Sequence, residues 1–177
     1  MKNINIFVDT SIINKICDID IKKTDPHNEE DRKFLSKILK KSNIRLLVNP
    51  SIKQEIENTQ DQRRREELLN TFSKYQFIPF NKFIWGTTKA GKEKSITFPV
   101  TFLKPEEKKF CEELEQKFPR LRDDMKIIAD GIFNKDVDIL LSRDPHIYKD
   151  LVKFISKRNI KVKVFNPKEC FNYLKNL

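Results

Sequence analysis

The sequence has few glycines, histidines and cysteines, and it has no long apolar run. None of its 3 glycines lies in the segment directly after the first predicted strand. The sequence therefore lacks the glycine-rich loop of nucleotide-binding domains. The 3 cysteines form no CxxC pair, which argues against a zinc site or a disulfide framework. The 2 histidines form no Ser/His/Asp pattern. Because no segment approaches the ~20 apolar residues of a membrane span, we expect a cytoplasmic protein without a membrane partner.

Positive charge is abundant. Lys and Arg number 36 against 26 Asp and Glu, which gives a net charge of +10. A basic protein of this kind often has a polyanionic partner, and nucleic acid is the commonest. The length of 177 residues fits one domain, 1–177, with a core of its own.

Apolar patterns alternate between short runs and helical spacing along the chain. This alternation predicts an α/β fold with a central parallel sheet and helices on both faces. The predicted strands are 4–8, 44–48, 137–142 and 161–165, and the predicted helices are 11–17, 29–41, 50–58, 61–75, 106–118, 123–134, 145–157 and 167–176.

Two segments break the alternation. Residues 18–28 are polar and predict a loop. Residues 76–105 interleave aromatic residues with lysines and predict a long inserted excursion. Stacking on RNA, a groove for a partner and a loop folded over the core all remain open for this excursion.

Four acidic residues fall at the predicted carboxyl edge of the sheet, where open α/β sheets bind ligands. They are Asp9 after the first strand, Glu55 after the second, Asp124 before the third and Asp144 after it. Taken singly, three of them fit helix N-termini, as caps or through the helix dipole, and Glu55 fits a surface position. Taken together, clustered carboxylates resist joint ionisation unless a cation neutralises them. Oxygen ligands without a His or Cys pattern indicate Mg²⁺ or Mn²⁺.

Four motifs carry these acids in a characteristic order. The chain shows "FVDTSII", "SIKQEIEN", "DMKIIADG" and "LLSRD". In this order the chain resembles the PIN domain family, whose members are metal-dependent ribonucleases. The resemblance covers residues 4–75 and 106–166, and the excursion at 76–105 departs from it. A phosphatase with a second aspartate two residues after the first is excluded, because position 11 is serine.

The resemblance implies a three-layer α/β/α sandwich in which Asp9, Glu55, Asp124 and Asp144 hold Mg²⁺ or Mn²⁺. Ser11 would support the site through its hydroxyl, and Ser142 is a further candidate for that role. Asp123 is the rival of Asp124, which is preferred because Ile127 and Ala129 then match the motif.

The function implied is a divalent-metal-dependent endoribonuclease with an RNA substrate. A small stand-alone domain of this kind resembles the toxin of a toxin–antitoxin or defence system, with an antitoxin or regulatory protein as partner and a homodimer as one assembly. The alternative is a catalytically inactive, basic module that binds RNA or protein. In the nuclease, Arg143 and nearby lysines would bind flanking phosphates.

Overall fold

The computed structural model describes residues 3–22, 29–77, 104–122 and 124–177. Its elements are, in chain order, β1 (Ile4–Val8), α1 (Thr10–Asp20), α2 (Glu29–Leu39), β2 (Ile44–Val48), α3 (Pro50–Glu57), α4 (Gln62–Phe72), β3 (Gln76–Phe77), α5 (Pro105–Lys117), α6 (Met125–Phe133), β4 (Ile139–Leu141), α7 (Val152–Ile155), β5 (Lys163–Phe165) and α8 (Pro167–Lys175). A 3₁₀ turn, Pro119–Leu121, precedes α6, and a π-helical segment, His146–Leu151, leads into α7.

The strands form one parallel sheet in the order β3-β2-β1-β4-β5. The residues Ile6, Phe7 and Val8 are fully buried, as expected for a central strand covered on both faces. Helices α1, α2, α3, α4 and α8 pack among themselves, and α5 packs against α6. The α/β class with a parallel sheet is therefore confirmed, and the arrangement is compatible with a three-layer sandwich.

The topology places a switch point at the centre of the sheet. After β1 the chain adds β2 and β3 on one side, and then returns to add β4 and β5 on the other. Ligands of open parallel sheets bind at such a switch point, beyond the carboxyl ends of the strands. Here that position lies after Val8 of β1 and Leu141 of β4, which pair in register.

Several predicted boundaries differ from the observed ones, and two of the differences depend on contacts with distant parts of the chain. Helix α1 continues to Asp20, although residues 18–20 were predicted as the start of a loop. Asp18 and Lys15 are buried there, and Asp18 forms ion pairs with both Lys15 and Arg64 of α4. Gln76 and Phe77, predicted as the start of the excursion, pair with β2 instead. The rest of the excursion up to residue 103 lies outside the described residues.

Helix α6 approaches the sheet closely through Gly131. A Cβ atom at this position would lie 2.8 Å from Cδ1 of Phe7 and 3.2 Å from Cδ1 of Leu140. Both neighbours are fully buried, so neither can move away without disturbing the core. No helix in the described part of the chain is long and apolar enough to cross a membrane.

Replacing Gly131 by alanine is therefore expected to destabilise the protein, although alanine favours helix formation. Overpacking costs about 1–3 kcal/mol, and the gain in helix propensity is about 1 kcal/mol. Chemical unfolding followed by circular dichroism measures the difference. The penalty should shrink in a Phe7→Leu background, and an equal penalty in both backgrounds would contradict the proposed contact.

Candidate active site at the carboxyl edge of the sheet

Asp9 is the buried centre of the carboxyl edge. It is only 4% exposed and stands as the N-cap of α1. Its Oδ1 accepts hydrogen bonds from the Ser11 hydroxyl at 2.6 Å and from the Ile12 backbone N–H at 3.0 Å. Its Oδ2 accepts a hydrogen bond from the Ser142 hydroxyl. The cap and the site carboxylate are thus the same group, and Ser11 and Ser142 both contact it.

Asp144 is joined to Asp9 through Ser142. The Asp144 backbone N–H donates to the Ser142 hydroxyl at 3.0 Å, and that hydroxyl in turn donates to Asp9. The register of β1 and β4, continued by one residue, sets Asp9 beside Ser142. The Asp144 carboxylate also accepts from the His146 backbone N–H at 2.8 Å, at the start of the π-helical segment. Asp144 therefore accepts a backbone N–H at the start of a helical segment, as Asp9 does.

Burial raises the pKa of Asp9 above its ordinary value of 3.8. The hydrogen bonds from Ser11, Ser142 and Ile12 oppose this change, and the nearby charge of Asp144 adds to it. The ionised form of Asp9 is therefore costly in the folded protein. A cation beside the two aspartates would favour that ionised form.

Of the two other predicted ligands, Glu55 contacts the Asp9 region and Asp124 lies at the start of α6. Glu55 is exposed on α3 and accepts a hydrogen bond from the Thr10 hydroxyl, so it lies next to the residue that follows Asp9. Asp124 is the partly buried N-cap residue of α6. Asp123 lies outside the described residues. No group of three or more His, Cys, Asp or Glu within reach of one metal ion occurs in the described part of the chain.

The donor set fits a small hard cation held by few protein ligands. A carboxylate has about four acceptor sites, and three on Asp9 are used by described donors. The remaining site is on Oδ2, and Asp144 is an acidic neighbour whose charge raises the pKa of Asp9. Mg²⁺ is usually bound by one or two carboxylates together with water and substrate phosphates. Asp9 and Asp144 would therefore suffice as protein ligands.

The structure adds three polar residues to this edge that the sequence interpretation missed. Asn49 follows β2 and is 1% exposed, and its amide donates to the carboxylate of Asp130, which is 5% exposed. Asp31 of α2 binds Arg143, with 2.6 Å between the Asp31 Oδ2 and Arg143 Nε atoms. Asn49 could have been found from the sequence, because it follows a predicted strand just as Asp9 does. Asp130 and Asp31 lie within helices, where no feature of the sequence marks them as site residues.

We found no protein-family model that matches the sequence, and no curated protein that matches it.

Proposed function

We propose that this protein is an endoribonuclease of PIN-like fold that uses Mg²⁺ or Mn²⁺ to hydrolyse RNA phosphodiester bonds. The observation that carries the proposal is the pair of aspartates at the switch point of the sheet. Asp9 is buried, its pKa is raised, and it shares the Ser142 hydroxyl with the backbone of Asp144. The order of the four acidic motifs and the positive charge of the chain support the same function.

Asp9 and Asp144 would hold the cation, and Asp124 and Glu55 would complete the acidic edge as the sequence motifs indicate. A bound divalent ion supplies an activated water and neutralises phosphate oxygens. The chain itself fixes the ligands. Ser11 and Ser142 orient the Asp9 carboxylate, and the Arg143 backbone N–H donates to the Ser11 hydroxyl at 3.1 Å, which fixes that hydroxyl as well.

A basic binding module without catalytic activity is the second candidate. It is favoured by the local hydrogen bonds of the two aspartates, since Asp9 caps α1 and the Asp144 carboxylate accepts from the His146 backbone N–H. Such bonds at the start of a helical segment explain aspartate at both positions without a metal. The two functions differ in what happens to RNA when a divalent metal is added.

Cleavage of a mixed RNA pool tests the first proposal. We expect wild-type protein to cleave the RNA with Mn²⁺ or Mg²⁺ and to be inactive in EDTA. Asp144→Asn should lower the cleavage rate by about 100-fold, because loss of a ligand weakens both the affinity for the metal ion and the positioning of that ion. Asp150→Asn is the matched control, since Asp150 lies in the π-helical segment that follows Asp144 and contacts His146 and Lys153.

Intact RNA in every metal condition, with protein shown to be folded, would refute the nuclease function and leave the binding module. Equal activity of wild-type protein and Asp144→Asn would remove Asp144 from the site.

A further inference from the structure

The two flanks of the candidate site differ in charge. Residues 145–177 form the flank that contains α7, β5 and α8, and they carry eight Lys or Arg against two Asp or Glu. All eight of these basic residues are exposed. Residues 44–77 form the opposite flank, with β2, α3, α4 and β3, and they carry six basic against five acidic residues. A polyanion at the site is therefore attracted toward the β5 flank.

Two basic side chains stand at the inner border of the β5 flank. Arg143 follows β4 and lies between Ser142 and Asp144, and Lys168 lies in the first turn of α8, which begins just after β5. The Arg143 side chain is 23% exposed and that of Lys168 is 57% exposed. Both are therefore accessible to a ligand that approaches the carboxyl edge.

Carboxylates from one helical turn bind both cations. Asp31 contacts Arg143, and Glu30 contacts Lys168 with 3.0 Å between Oε1 and Nζ. Both acids belong to the first turn of α2, which packs against α8. These ion pairs restrict the two cationic side chains, so less conformational entropy is lost when a phosphate binds. A guanidinium has five N–H donors, so an Arg bound through Nε to one carboxylate can also bind a phosphate.

Within the opposite flank, helix α3 presents negative charge on its exposed side instead. The exposed side of α3 carries Glu55 and Glu57 with Lys53, and Lys53 pairs with Glu57 at 3.6 Å. Screening at physiological salt leaves charge effects significant within about 8 Å, which is the scale of contacts at the site. A phosphate on this side would meet Glu55 next to Thr10.

We propose that the RNA strand beside the cleaved bond crosses the carboxyl ends of β4 and β5, where Arg143 and Lys168 bind its phosphates. This inference rests on the proposed function for the position of the cleaved bond. It specifies the side from which the substrate extends and the two residues that hold it.

Salt-dependent RNA binding tests this path. A labelled unstructured RNA of about 12 nucleotides is titrated in EDTA, which prevents cleavage, and fluorescence anisotropy reports the Kd. Arg143→Ala/Lys168→Ala should raise the Kd about tenfold and reduce the slope of log K against log salt by about 1.4, since each single-strand phosphate contact contributes about 0.7. The charge-conserving Arg143→Lys/Lys168→Arg variant should retain the slope.

Arg45→Ala/Lys53→Ala is the matched control, because it removes the same charge from exposed positions on the opposite flank. Its slope should equal that of the wild type. If both double variants lose the same RNA affinity, the effect is one of net charge alone and the proposed path is overturned. An unchanged salt slope in Arg143→Ala/Lys168→Ala would overturn it too. Glutamine replacements at both positions provide a second pair if the alanine variant does not fold.

The outcome is separable from that of the nuclease function. If the wild type cleaves RNA but the two double variants behave alike, only the proposed path fails. If the slope changes as expected but RNA stays intact with metal, the nuclease function fails and the path stands as that of a binding module.

Discussion

Replacing Asp9 by asparagine is expected to abolish metal-dependent RNA cleavage while making the metal-free protein more stable. Cleavage should fall by about 100-fold or more, because the neutral amide no longer attracts a cation. Stability should rise because burial and the charge of Asp144 both oppose ionisation of Asp9. An RNA cleavage assay and thermal unfolding in EDTA measure the two effects.

Asparagine can keep the hydrogen bonds that hold Asp9. Its amide oxygen can accept from the Ser11 hydroxyl and the Ile12 N–H, and its NH₂ group can donate to the Ser142 hydroxyl, which can both donate and accept. The fold is therefore retained, and the change is mainly one of charge.

The pH dependence of the stability follows from the direction of the pKa change. Asp9 is neutral in both states at low pH, where its contribution to stability is fully present. As the pH rises past 3.8, the unfolded chain ionises before the folded protein does, and stability is lost until the raised folded pKa is passed. The difference in Tm between Asp9→Asn and wild type in EDTA should therefore be small near pH 4 and grow toward neutral pH.

Asp61→Asn is the matched control for this experiment. Asp61 is also an N-cap aspartate, accepting from the Arg64 backbone N–H at 2.9 Å, but it is exposed and follows α3 rather than a strand. Its replacement should leave cleavage unchanged. If the two variants behave alike in cleavage and in Mn²⁺-induced thermal stabilisation, Asp9 is a helix cap and not a metal ligand.

Replacing Arg64 by alanine should cause a large loss of stability. Arg64 Nη2 lies 2.8 Å from Asp18 Oδ1, an ion pair by distance although its geometry is not that of a hydrogen bond. Arg64 also donates to the backbone oxygen of Asn14 at 3.1 Å. Asp18 is 8% exposed, and Lys15 lies 3.4 Å from it.

Removing one partner of a buried pair costs about 3–5 kcal/mol, and Lys15 should keep the loss near the lower figure. Urea unfolding measures it.

The adjacent arginine provides the control. The Arg63 side chain is 90% exposed and pairs with Glu67 on the surface at 3.2 Å. Arg63→Ala should change the free energy of unfolding by less than about 0.5 kcal/mol. If Arg64→Ala and Arg63→Ala have the same free energy of unfolding, the ion pair between Arg64 and Asp18 does not stabilise the fold.

Local patterns were enough to predict much of the fold. Apolar runs at 4–8 and 44–48 predicted two strands at their observed bounds, because burial on both faces of a parallel sheet leaves a continuous apolar signature. The pattern was less informative where charge replaces apolar packing. Residues 18–20 were predicted as loop because the interaction of Asp18 with Arg64 involves a residue 46 positions away in the sequence.

The sequence by itself determined that Asp9 and Asp144 follow strands, because strand ends are marked by where the apolar runs stop. Tertiary structure alone decided that the Ser142 hydroxyl binds Asp9 across 133 residues of sequence and that Asp31 binds Arg143 across 112. It also brought the Asn49 amide to the Asp130 carboxylate inside the protein. Such contacts depend on strand register and on which helices pack together, and neither property is encoded within a single short segment.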